Sequence, residues 1–119
     1  MMAFKFNATT SLLSALGVAL VYLAASSQAE AREITVNLSR GSFGPVQIQA
    51  NAGDGIRFDN SSKLMHTVTV IGRDDVLGNQ PVKPNESFVF RVSSGLSPGT
   101  YVLNCGLHPG MQAELVVKG

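Results

Sequence analysis

Downstream of residue 31 the chain has two histidines, His66 and His108, one cysteine, Cys105, and two methionines, Met65 and Met111. Three of these five fall in the run Cys105-Gly106-Leu107-His108-Pro109-Gly110-Met111, a Cys-x-x-His-x-x-Met spacing. Thiolate, imidazole and thioether together suit copper, because two His and one Cys in a trigonal plane with a long Met bond form the blue-copper arrangement. Gly106, Pro109 and Gly110 supply a turn tight enough to bring the imidazole and thioether back over the sulfur. His66 is the second imidazole the set requires. Structural zinc favours four Cys or His ligands, and this chain has three, with no further carboxylate or water position marked by the pattern.

Such a set needs rigid supports, and the surrounding sequence reads as strands. Apolar residues alternate with polar ones at Ile34, Val36 and Leu38, at Val46 and Ile48, and at Phe88, Phe90 and Val92. Further strands are expected over residues 55–59, 66–71, 101–105 and 113–117, separated by turn clusters such as Arg40-Gly41-Ser42-Phe43-Gly44-Pro45 and Ser97-Pro98-Gly99. Seven short strands at this spacing predict an all-β antiparallel sandwich or barrel with Greek-key connections. The longest connection, residues 72–87, contains Pro81 and Pro84 and is expected to be a surface excursion rather than a central strand. Tyr101, Leu103 and Cys105 share one parity, which turns the thiol inward; His66 shares the inward parity of Val68 and Val70. Met65 has the opposite parity, so Met111 is expected as the fourth donor. Phe43, Phe58, Phe88 and Phe90 read as core.

At 119 residues the chain is long enough for one domain and short of two. Its 14% of charged and 45% of apolar residues exclude a disordered chain. A formal charge of +1 gives no basis for neutralising phosphates, so nucleic acid is not expected as a partner. The single cysteine allows no internal disulfide. The first 31 residues have the parts of a secretory signal peptide: Lys5, an apolar run from Leu12 to Ala25, and a cleavage site after Ala29 or Ala31. That run is fourteen residues long and interrupted by Ser14 and Gly17, short of the about 20 that a spanning helix needs, so no membrane attachment is expected after cleavage. Cleavage after Ala31 leaves residues 32–119 as the working domain, small enough that a bound metal is a useful staple.

The stretch from Gly99 to Met111, with Gly53-Asp54-Gly55-Ile56-Arg57-Phe58-Asp59-Asn60 leading to His66-Thr67-Val68, resembles the cupredoxins, the small blue copper proteins. Two-residue gaps between Cys, His and Met are most similar to the amicyanin and plastocyanin group, and within it to amicyanin. The resemblance spans nearly all of residues 32–119. It implies an eight-stranded Greek-key sandwich after a signal peptide, with His66, Cys105 and His108 as equatorial copper ligands and Met111 as the axial one. Many members place Asn directly after the first ligand histidine, where it ties the two ligand loops together; here that position is Thr67, which has a hydroxyl to offer instead.

A metal held by four protein groups leaves no position for substrate, so electron transfer is expected and enzymatic activity is not. The expected protein is an exported, periplasmic, monomeric carrier of single electrons with one copper per chain. Its partners are redox proteins docking transiently near His108, through an apolar patch that includes Leu107, Pro109 and Gly110, over less than about 1,200 Å². His108 is accordingly expected to be more accessible than His66. The alternative is a periplasmic copper carrier or delivery protein without electron shuttling, although such proteins often use Met-rich or His-rich open sites that this chain lacks. A Cys105/His108 nucleophilic dyad would need an orienting third group and a pocket of about 300 Å³ or more, for which so small a domain has little room. Asp74-Asp75 lacks the spaced oxygen ligands of a calcium loop. The triplets Asn37-Leu38-Ser39, Asn60-Ser61-Ser62 and Asn85-Glu86-Ser87 match the glycosylation acceptor pattern but are assigned no function.

Overall fold

A computed structural model describes residues 30–119, so the expected signal peptide lies almost wholly outside the described residues. Nine strands are present among the described residues: β1 (Glu33–Leu38), β2 (Phe43–Gly44), β3 (Gln47–Ala50), β4 (Gly55–Asn60), β5 (His66–Val70), β6 (Gln80–Val82), β7 (Ser87–Arg91), β8 (Gly99–Asn104) and β9 (Gln112–Val117). They form two sheets, one ordered β2-β1-β4-β7 and the other β3-β9-β8-β5-β6. Period-two patterning explains which faces meet. Val36, Leu38, Ile56 and Phe58 from the first sheet pack with Ile48, Val68, Val70, Leu103, Leu115 and Val117 from the second, all at 3% exposure or less. Phe43 meets Phe58 edge-on, with ring centroids 6.4 Å apart.

The register puts one set of strand ends together. Leu38 lies beside Asn60, Asp59 beside Ser87, His66 beside Val82, and Asn104 beside Gln112. Residues 39–42, 61–65, 83–86 and 105–111 are therefore loops at the same end of the sandwich. Both histidines and the cysteine belong to that end.

The structure is a Greek-key sandwich, but it corrects the sequence reading in several places. The sheets are mixed rather than wholly antiparallel: β1 pairs with β4, and β3 with β9, in parallel. The chain between β1 and β4 visits the other sheet through β3, and this crossover brings it back in the same direction. Two strands were not expected, and the count of nine exceeds the eight implied by resemblance. One of them, β2, is only two residues long and too short to show alternation. The other, β6, lies inside the 72–87 connection, which is thus not wholly a surface excursion. It occupies a sheet edge, where Pro81 needs to donate no ladder hydrogen bond, and it buries Val82. Val46 falls outside β3 and is exposed. Ile71 likewise lies beyond β5 and Cys105 one residue beyond β8.

Candidate metal centre

His66 opens β5 and faces inward with Val68 and Val70, as its parity requires; it is fully buried. Cys105 follows the last residue of β8 and is buried. The loop after it is closed by its own backbone: the Cys105 N–H donates to the Met111 carbonyl at 3.0 Å, and the Met111 N–H donates to the His108 carbonyl at 3.1 Å. Gly110 makes that closure with a φ of 81°, a left-handed conformation that glycine adopts without penalty. His108 is thereby turned back toward the first histidine, with ring centroids 4.6 Å apart.

The ligating atoms of His66, Cys105 and His108 all lie within 4.8 Å of one another. Cys105 Sγ is 3.8 Å from His66 Nδ1. That separation suits two donors sharing one ion at metal–nitrogen and metal–sulfur lengths of about 2.0–2.3 Å. Of the four expected ligands, these three are brought together by their side chains. Met111 is attached to the cluster through the backbone bonds of the loop, and its side chain is buried, whereas that of Met65 is exposed. His108 is partly exposed and His66 is not, which is the expected order.

Hydrogen bonds assign the proton on each imidazole. Asn60 donates through Nδ2 to the carbonyls of Leu64 at 2.7 Å and Val82 at 2.9 Å, which fixes its Oδ1 toward Ser62. Ser62 Oγ donates to that oxygen at 2.6 Å, and so accepts from the Leu64 N–H and from His66 Nε2–H, each at 3.1 Å. His108 Nε2 faces the Met65 carbonyl at 3.0 Å, and a carbonyl only accepts, so this nitrogen also carries its proton. Each ring keeps Nδ1 as its lone-pair donor. Burial, reinforced by the nearby charge of His108 when protonated, holds the His66 pKa below its ordinary value, against a smaller opposing effect of a backbone hydrogen bond with Ser39. His66 is thus kept in the neutral form that a metal ligand requires.

Thr67 joins the two ligand-bearing segments. Its hydroxyl accepts the Gly106 N–H at 3.0 Å, and its own backbone N–H points at Cys105 Sγ from 3.4 Å. The hydroxyl thus supplies the link between loops at the position where the resemblance implies Asn. The donor set fits one copper ion: one cysteine sulfur and two imidazole nitrogens converge at one strand end, with a buried thioether in the same loop. Ser62 and Asn60 are the polar contacts that sequence reasoning missed. Their signal was the Asn-x-Ser spacing four residues before His66, which also matches a glycosylation triplet.

Comparison with known proteins follows the same lines. The chain matches the family described as "Cupredoxin-like domain" over residues 12–117. It is 28% identical over 125 residues to the methylamine utilization protein MauL of Methylophilus methylotrophus, covering 96% of this chain and 72% of that one. Among solved structures it is similar in fold to a single-substitution mutant of amicyanin in its reduced state, with a TM-score of 0.58, 23% identity and coverage of 79% of this chain and 89% of that chain. A purple cupredoxin from Nitrosopumilus maritimus superposes with a TM-score of 0.61 at 14% identity, covering 71% of this chain and 99% of that one.

Proposed function

The chain belongs to the cupredoxin-like family, and from that premise we propose that it is an exported carrier of single electrons, cycling one copper between Cu(I) and Cu(II). The observation that carries the reading is the convergence of His66, Cys105 and His108 donors within 4.8 Å at one end of a rigid sandwich. His66, Cys105 and His108 would hold the copper, with Met111 as a further, weak thioether donor. When bound, the copper supplies a one-electron couple at a site with no vacant position for substrate, so the protein is a carrier and not an enzyme.

The chain's own residues do the rest. β5 and β8 set His66 and Cys105 at fixed strand ends, and the Thr67–Gly106 bond holds the two supports together, so the donors change position little when the charge changes. Cys105 is buried in one apolar cluster with Leu103 and Met111, which shields the sulfur from solvent. His108 is the ligand with a path to the surface. Around it Leu64, Met65 and Leu107 are exposed, at 38%, 39% and 52%, a small apolar face suited to brief docking by redox proteins. The leader in residues 1–31 directs export to the periplasm and is removed after Ala29 or Ala31, which leaves residues 30–119 or 32–119 as a monomeric domain. Titrating the purified protein with Cu(II) tests the reading: an intense visible band at one copper per chain that bleaches on one-electron reduction supports electron carriage. A colourless complex that yields its copper readily to chelators would favour copper delivery instead.

A further inference from the structure

The charges of this chain nearly cancel in sum, but the fold separates them. The loops at the metal end, residues 39–42, 61–65, 83–86 and 105–111, contain Arg40, Lys63 and Lys83 against one acid, Glu86. Three arginines placed elsewhere are engaged: Arg32 with Asp54, Arg57 with Asp59 and Arg73 with Asp75. Arg40 and Lys63 make no ion pair among the described residues, and both are exposed. They line one groove of about 430 Å³ with Ser39, Ser61, Ser62 and Leu64. Glu86 lines a neighbouring groove, together with Arg57, Asp59 and Asn85, which meets the first at Ser61.

The position of the basic groove matters as much as its charge. Ser62, in its wall, is hydrogen-bonded to His66 at 3.1 Å, and Leu64 continues into Met65, whose carbonyl meets His108. The groove thus ends at Leu64, the chain neighbour of Met65, and Met65 and Leu107 are both exposed beside His108. Two unpaired cations beside an apolar contact are complementary to a carboxylate-bearing surface.

We propose that this groove receives an acidic segment of the redox partner, so that the partner docks through apolar contact at Leu64, Met65 and Leu107 and through charge pairing at Arg40 and Lys63. The inference rests on the electron-carrier reading for the nature of the partner, but the acidic recognition is a property of the protein surface and is measurable without copper. Such pairing steers encounter more than it adds affinity, which suits a complex that must dissociate after one electron.

The test is a titration of hexaglutamate peptide into the protein purified from expression of the full-length sequence, followed by backbone amide NMR shifts in metal-free and Cu(I)-loaded forms. Shifts confined to residues 39–40 and 61–64, absent with hexalysine and abolished at 1 M salt, where the Debye length is about 3 Å, are expected. Neutralising one exposed charge, Arg40→Gln or Lys63→Gln, weakens binding about two- to fivefold, and Lys118→Gln at the opposite end leaves it unchanged. Equal response to hexalysine, shifts spread over the other end, or indifference to both substitutions would overturn the proposal. Inorganic phosphate binding as tightly as hexaglutamate would also overturn it, in favour of a small-anion site. Because the metal-free form carries the readout, hexaglutamate binding by a protein that forms no blue copper complex would refute the electron-carrier reading and leave the acidic recognition standing.

Discussion

Replacing Thr67 by Val removes one hydroxyl, keeps the branched shape that suits β5, and leaves every backbone group of residue 67 in place. What it takes away is the acceptor for the Gly106 N–H, now bonded at 3.0 Å across the two ligand-bearing segments. Thr67 is 8% exposed, but Gly106, whose N–H loses its partner, is exposed, so water replaces that acceptor in part. Losing such a hydrogen bond costs about 0.5–1.5 kcal/mol. For a domain of this size each kcal/mol moves the midpoint by roughly 4–8 °C, so Thr67→Val should melt about 2–12 °C lower. The assay is urea and thermal unfolding of the metal-free protein, in which copper cannot mask the effect, with an unchanged m-value marking a change of stability alone. Thr67→Ser should recover most of the loss. The Thr67 N–H still points at Cys105 Sγ from 3.4 Å in the valine variant and only the hydroxyl's longer contact with that sulfur, at 4.0 Å, is lost, so the visible band of the copper form should move little. A Thr67→Val protein within about 0.5 kcal/mol of the parent would refute the claim that this hydroxyl ties the loops together.

Further expectations concern the support of the site and of the opposite end. Ser62→Ala removes the acceptor for His66 Nε2–H, freeing the ring to turn, and copper affinity measured by chelator competition should fall about 10–100-fold; an unchanged affinity would show that the ring is held by packing alone. Met111→Leu fills the same buried space and should leave the fold within about 1.5 kcal/mol of the parent, while shifting the reduction potential measured by voltammetry. Asp54 accepts backbone N–H bonds from Asn51 at 2.9 Å and Arg32 at 3.0 Å, which hold its pKa below the ordinary 3.8, with Arg32 adding a side-chain contact. The stability it contributes is therefore fully present above that value and lost as pH falls through the lowered pKa. Acid unfolding of Asp54→Asn should be less steep below about pH 4 than that of the parent, as read by circular dichroism.

The metal end was readable from sequence because its chemistry lies in residue types that are rare in this chain. One cysteine and two histidines left few ways to build a soft-donor site, and strand parity predicted which of them point inward. Parity also separated Met111 from Met65, and burial of the first with exposure of the second follows from it. What parity does not encode is the order of strands in a sheet. The parallel pairing of β1 with β4 arises from a crossover through the second sheet, a long-range event with no local pattern. The strand containing Pro81 was missed because proline opposes a central strand, and only sheet order reveals that β6 is an edge. Ser62 and Asn60 were passed over for a related reason: a short polar triplet has no periodicity, and its meaning depends on Val82 and His66 being brought beside it.

The most direct test of the central claim is the absorption spectrum of the protein during Cu(II) addition, compared with that of Cys105→Ser. The account predicts an intense visible band that saturates at one copper per chain, disappears on addition of one electron, returns on reoxidation, and is absent from the serine variant. A colourless complex, or a coloured one indifferent to the loss of Cys105, would contradict it.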